Sequence, residues 1–431
     1  MMNSIKVSMQ NQVVGKLSID RDENYYFEYD KGWIEKGFAI SPHLPLLLNE
    51  IGTYSSSTIK RFLENLIPEG EGLEDIALFS RISKNNTFAI MHSIGYDTAG
   101  ALFFGENREA NEPIFREILD EELTKRIEEL ESKSIAIWDR KVRLSLAGVQ
   151  AKLPVIIRDN KIGLANGTLS STHIMKFQTK RNTHIVVNEF FCMRLAKKIG
   201  LKVANVELKR FGKYPTLLIE RFDRVYKKDF VERLHIIDGC QMLDLPPTYK
   251  YEQNFGSLRD VAHIREGASF KKLFKSAKLC SIPAIAQLEL LNWAMFNLII
   301  GNSDAHGKNF SFFVSQKGIK ATPFYDMLCV MMYDFDHHLA MAYGDEFNPN
   351  EVFAYQLREF AKDIGINYKL VAKVLLKQIE SILKILENEV INTKELTQKE
   401  KSFIKKISSF IAQRALHFQE VAKEMGLVTF P

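Results

Sequence analysis

The chain has 431 residues, enough for roughly three units at about 150 residues each. Hydrophobic residues make up 46% and charged residues 26%, which excludes disordered, collagen-like and coiled-coil chains, because there is ample apolar material for cores. Lys+Arg 58 against Asp+Glu 53 leaves +5 over the whole length, a mild bias toward phosphate-bearing partners and far from a dedicated nucleic-acid binder.

In chain order, VVGKLSID (Val13–Asp20), the charged turn RDEN and YYFEYD (Tyr25–Asp30) read as a hairpin of alternating aromatic and polar positions. Pro42 and Pro45 make ISPHLPLLL extended and irregular. STIKRFLENLI has helical spacing, with Phe62, Leu63, Leu66 and Ile67 on one face. A charged stretch near residues 107–134 reads as a connector holding a helix. KVRLSLAGVQAKLPVII (Lys141–Ile157) reads as two strands joined by a tight turn at Ala147-Gly148, and HIMKFQ as another strand. NEFFCMRLAKKIGL (Asn188–Leu201) carries helix start and stop signals, and ANVELKRF and PTLLIERFD follow as strands. From about residue 255 the pattern is helical. Val371, Val374, Leu375, Ile379, Ile382, Leu383 and Leu386 form an apolar stripe best explained as a buried face. The expected organisation is therefore a mixed unit over 1–134, a strand-rich lobe over 135–254 and a helical lobe over 255–431, an α+β fold.

Cys192, Cys240, Cys280 and Cys329 are widely separated with no CxxC pair, which argues against a disulfide framework or zinc site and fits a reducing cytoplasm. The N-terminus has no apolar core of signal-peptide type. The apolar stretch around Leu288–Ile300 is interrupted by Asn292 and Asn297, so no membrane span is expected.

The chemistry concentrates in LNWAMFNLIIGNSDAHGKNFSFF (Leu291–Phe313), where polar, titratable residues lie between two apolar elements. Asp304 and Asn309 stand five positions apart, the spacing of the acid and the amide in a protein-kinase catalytic loop. Phosphoryl transfer needs a carboxylate to orient and deprotonate the acceptor hydroxyl, and an amide oxygen to hold Mg²⁺. Asp326, in PFYDML, supplies the second metal-binding carboxylate. Each residue alone has a plainer reading, Asp304 as a turn cap and His306 as a hydrogen-bonded loop residue; the ordered set is what points to a kinase.

The remaining kinase parts have candidates in the strand lobe. The turn Ala147-Gly148-Val149 could nest phosphates, though a single glycine is a weak signal. Lys176 would reach the ATP phosphates, with an outward-facing strand lysine as the alternative. Glu189 would pair with it, or serve its helix dipole. LIERFD would be the hinge facing adenine, with Asp223 at the ribose or simply on the surface.

SLAGVQAK, HIMKF, NEFFCMRLAKKIGL, LIERFDR, GNSDAHGKNFS and PFYDML occur in the order and character of the HipA family, and VGKLSIDRDENYYFEYD, ISPHLPLL, RFLENLIPEG and IGYDTAGAL resemble that family's leading domain. The resemblance covers nearly the whole chain. It implies a bilobal protein-kinase-like fold and a serine/threonine kinase toxin of a toxin–antitoxin pair. It also implies Asp304 as base, Asn309 and Asp326 as Mg²⁺ ligands, and Lys176 with His306 at the ATP phosphates. Glu220 and Phe222 would offer hinge backbone contacts, and Ser145 would be the autophosphorylated serine whose modification silences the enzyme. The partners implied are a HipB-like helix-turn-helix antitoxin, operator DNA mainly through that antitoxin, and an aminoacyl-tRNA synthetase substrate, the glutamyl enzyme above all. One departure stands out: Ala151 occupies the place where the family's loop commonly has glutamate. Two other classes compete: a non-catalytic co-repressor acting through its antitoxin, and a metal-dependent phosphohydrolase built on Asp304, His306 and Asp326. The latter would need neither a strand-lobe lysine nor a hinge.

Overall fold

The computed structural model describes residues 2–47, 53–105, 112–143, 150–227, 230–388 and 396–429. The chain divides into two compact units. The first comprises Met1–Thr179, Lys209–Pro247 and Phe312–Ile319; the second comprises Lys180–Leu208, Thr248–Ser311 and Lys320–Pro431.

The first unit begins with a four-stranded sheet in the order Tyr25–Tyr29, Gln12–Ile19, Asn3–Met9, Leu102–Phe104. The expected hairpin is there: Leu17 faces Phe27 and Ile19 faces Tyr25 across the antiparallel register. Tyr25, Phe27 and Tyr29 alternate inward, as a period of two requires, and Phe27 meets Tyr29 edge-on at 4.9 Å. Helix Ser56–Glu64 buries Phe62 and Leu63, and Leu66 and Ile67 are buried just beyond it.

A six-stranded sheet follows, ordered Val206–Phe211, Tyr214–Glu220, His173–Phe177, Lys152–Arg158, Lys161–Asn166, Ile114–Glu117. Its core is aliphatic and aromatic, with Leu153, Val155, Leu164, Met175, Phe177 and Leu218 among the buried members. The strand pairing corrects the sequence reading of Lys141–Ile157. Lys141–Val142 pairs back onto Ile137–Trp138 through Asp139-Arg140, both at positive φ. Lys152–Arg158 turns instead through Asp159-Asn160, at φ +52° and +62°, onto Lys161–Asn166. Both are two-residue turns that match the twist of antiparallel strands, so each strand finds its partner outside the expected pair.

The second unit is mainly helical, with Ile185–Lys198, Phe270–Ser276, Pro283–Ile300, Ala354–Asp363, Tyr368–Asn388 and Gln398–Glu424. Tyr368–Asn388 buries Val371, Val374, Leu375, Ile379 and Ile382 of the stripe read from the sequence, while Leu383 and Leu386 are half-buried. Gln398–Glu424 starts at a capping box of Thr397 and Glu400. Pro283–Ile300 opens with proline at its first turn and closes at Gly301, whose φ of +70° few other residues adopt. At 18 residues it is long and apolar enough to cross a membrane on those criteria alone, but 61% of it is buried in this unit. It is the core helix that carries the site.

Candidate active site

In the second unit, the loop after Gly301 is fixed by two asparagines. Asn297 donates to the Trp293 carbonyl (2.8 Å), and Asn302 donates its side-chain amide to Asn297 Oδ1 (2.7 Å). Asn297, which interrupts the apolar run in the sequence, is therefore the post to which the loop is tied; both residues are buried. The Ser303 carbonyl accepts the Ala340 amide at 2.8 Å. The next residue, Asp304, presents its carboxylate at the edge of this scaffold.

Asp304 and Asn309 are locked within one turn. The Asp304 carbonyl accepts the His306 amide (2.8 Å) and the Asn309 side-chain amide (3.0 Å). Because Asn309 spends its N–H₂ there, its amide oxygen is the end left for a cation. His306 is buried and lies edge-on to Tyr251, with ring centroids 5.3 Å apart. The Tyr251 hydroxyl donates to Asp304 Oδ1 at 2.8 Å.

Asp326 is brought to the same turn by a tyrosine. Tyr325 Oη donates to the Lys308 carbonyl (2.6 Å) and shares a 2.6 Å hydrogen bond with Ser311 Oγ. The Thr322 amide and hydroxyl both reach the Ser311 carbonyl, at 3.0 and 3.1 Å. The residue before Asp326 is thus bonded to the residue before Asn309. Asp326 itself has φ +57°, a left-handed conformation for a residue with a side chain. Beyond it, Asn188 grips the Cys329 backbone twice, donating to its carbonyl (2.9 Å) and accepting its amide (2.8 Å). Asn309 and Asp326 would offer a cation one amide and one carboxylate oxygen, hard donors of the kind that suit Mg²⁺ better than a softer metal.

Helix Ile185–Lys198 starts three residues before the expected Asn188, so Asn188 and Glu189 lie inside it and are fully buried. Glu189 is therefore not a solvated helix-start carboxylate.

In the first unit, Lys176 is 8% exposed, so the outward-facing alternative does not hold. Directly across the sheet stands Lys152, 7% exposed. Opposed residues of an antiparallel pair share a face, so two ammonium groups are concentrated on one side of the sheet. The sequence pattern gives Lys152 no role of its own; its register opposite Lys176 carries the signal. Glu220 ends the Tyr214–Glu220 strand opposite His173, and the Phe222 ring packs edge-on against Phe313 at 5.9 Å. Ser145, Ala147, Gly148 and Val149 lie outside the described residues.

Asp223 has a different environment from the one expected. It is 4% exposed, and its carboxylate accepts from Arg221 Nε (3.0 Å) and Nη2 (2.9 Å), Arg224 Nη1 (2.7 Å) and the Gly100 amide (2.8 Å). Burial alone would push this carboxyl up, but the two guanidiniums outweigh that and hold it well below the usual carboxylate range. A carboxylate so occupied is a structural anchor, and the ribose contact expected from the sequence is corrected accordingly. Arg224 and Arg233 extend the anchor to the carbonyls of Thr98 and Gly100.

Comparison with known proteins gives two family matches: HipA N-terminal domain over residues 5–105, and HipA-like C-terminal domain over residues 144–388. The chain is 43% identical over 406 residues to the serine/threonine-protein kinase toxin HipA of Shewanella oneidensis, covering 93% of this chain and 92% of that protein. It is 32% identical to the protein Y4mE of Sinorhizobium fredii, covering 91% and 93%. Among solved structures it resembles the Shewanella oneidensis toxin–antitoxin complex of HipA, HipB and operator DNA, with a TM-score of 0.89 at 40% identity over 99% of this chain and 100% of that one.

Proposed function

Because the chain belongs to the HipA family of serine/threonine kinase toxins, we propose that it transfers the γ-phosphate of ATP to a serine or threonine hydroxyl of another protein, with Mg²⁺ held by Asn309 and Asp326. The observation that carries this reading is the pair of bonds that gather the three residues: Asn309 to the Asp304 carbonyl, and Tyr325 to the Lys308 carbonyl.

In this reading Asp304 orients the acceptor hydroxyl and takes its proton as the hydroxyl oxygen bonds to the γ-phosphorus. The bond to the β-phosphate oxygen breaks and ADP departs. The bound ion would neutralise charge on the phosphates. Lys176 contacts those phosphates, with His306 and the backbone of Ala147, Gly148 and Val149, and the backbone of Glu220 and Phe222 meets adenine. Ser145 is the autophosphorylation site; a phosphoserine adds about −2 of charge beside a loop built to bind phosphate, which would silence the enzyme. The chain acts in the cytoplasm beside a HipB-like antitoxin, which supplies most of the operator contact, and its target is an aminoacyl-tRNA synthetase, the glutamyl enzyme first.

Incubation with γ-labelled ATP and Mg²⁺ in host lysate should label a synthetase, and mass spectrometry should find phosphate on Ser145. Release of free phosphate with no labelled protein would favour a phosphohydrolase instead. Persistent absence of modification at Ser145 in active protein would remove that site from the account.

A further inference from the structure

We propose that Tyr251 is a positioning residue of the phosphoacceptor site: its hydroxyl holds Oδ1 of Asp304 so that Oδ2 meets the incoming serine or threonine. The inference rests on the reading of Asp304 as the base. Among the described residues, Tyr251 is the side chain hydrogen-bonded to that carboxylate, at 2.8 Å. A carboxylate on a single rotatable stem can present either oxygen. A donor fixed on one of them selects the orientation before the acceptor arrives.

The tyrosine is itself firmly placed. The carbonyl of the preceding residue, Lys250, accepts the Gly307 amide (2.9 Å), tying this segment to the catalytic loop. The amide of the following residue, Glu252, donates to the Ala340 carbonyl (2.9 Å), and Ala340 in turn donates to Ser303, beside Asp304. The Glu252 carboxylate is buried and accepts from the Ala342 amide (2.9 Å) and Arg265 Nε (2.8 Å). The facing segment must carry glycine at 267, because a Cβ there would sit 1.7 Å from the Tyr251 carbonyl oxygen. Such support on both sides of a ring that is still 37% exposed leaves its hydroxyl precisely aimed and its outer face open to an acceptor.

In the transfer step the acceptor proton passes to Asp304 as the new O–P bond forms. Tyr251 stays protonated throughout, donating to the oxygen that does not take the proton. Its contribution is orientation, so its loss should appear in turnover and leave nucleotide binding alone.

The test is Tyr251→Phe in the full chain, assayed for γ-phosphate transfer to an acceptor protein, for KM of ATP, and for thermal unfolding. The expected result is a fall in kcat of about tenfold, the factor that ~1.4 kcal/mol represents, with KM for ATP and melting temperature unchanged. Wild-type kcat in Tyr251→Phe would overturn the proposal. So would a parallel shift in KM for ATP and melting temperature, which marks a general structural role. Asp304→Ala, run alongside, separates the two levels: wild-type transfer by that variant would remove Asp304 as the base, and the proposal with it.

Discussion

Asp326 sits at φ +57°, where an L-residue loses roughly 1–2 kcal/mol relative to its ordinary conformations. Strain of this kind persists where the surroundings over-determine it, and here the Tyr325 bonds on one side and the Asn188 grip on Cys329 on the other do so. Asp223 shows the opposite economy, a carboxylate saturated by donors. Asp223→Asn should cost about 3–5 kcal/mol at neutral pH, because the buried charges of Arg221 and Arg224 would be left to share Asp97 as their carboxylate. The sign with pH follows from the lowered carboxyl. Its stabilisation is fully present above the ordinary carboxylate range near pH 4 and fades as pH falls below it. Denaturant unfolding of the two proteins from pH 7 to pH 2.5 should therefore show a gap that narrows with acid; a constant gap would contradict the ion-pair account.

At the scale of elements, helix Ile185–Lys198 does more than fill a core. Asn188 satisfies both backbone groups of Cys329, 141 positions away. Asn188→Ala leaves the Cys329 N–H unpaired and its C=O with the long Met332 amide bond (3.4 Å), and should lower stability by about 2–4 kcal/mol; Asn188→Asp, which sets a buried carboxylate against that C=O, should lose at least as much. Equal unfolding of all three proteins would show that the grip carries no energy. These elements also mark how far the sequence could be read. The Tyr25–Tyr29 hairpin and the Val371–Ile382 stripe are local periodicities, visible without a fold. Asp304 and Asn309 are legible for the same reason, since five positions hold their chemistry. Tyr251 stands 53 positions from Asp304, and the Gly100 amide 123 from Asp223; no spacing rule spans such separations. The strand pairing around Lys141–Ile157 was misread because Asp139-Arg140 and Asp159-Asn160 are turn-formers without glycine, weaker signals than the Ala147-Gly148 pair.

Across the whole molecule, the family resemblance extends from the leading sheet to the helical unit, and the Shewanella relative matches nearly end to end. The charge of +5 belongs to the chain as a whole. We assign the work instead to a few buried and half-buried groups, first among them Asp304 as the base of a protein kinase whose fold does not depend on that carboxylate. The most direct measurement is single-turnover transfer of labelled γ-phosphate from ATP to acceptor protein by wild type and Asp304→Asn, with thermal unfolding of both. Transfer should be at least a hundredfold slower in the variant, as loss of a positioned general base allows, with an unchanged melting temperature. Transfer at the wild-type rate by the folded variant would contradict that assignment.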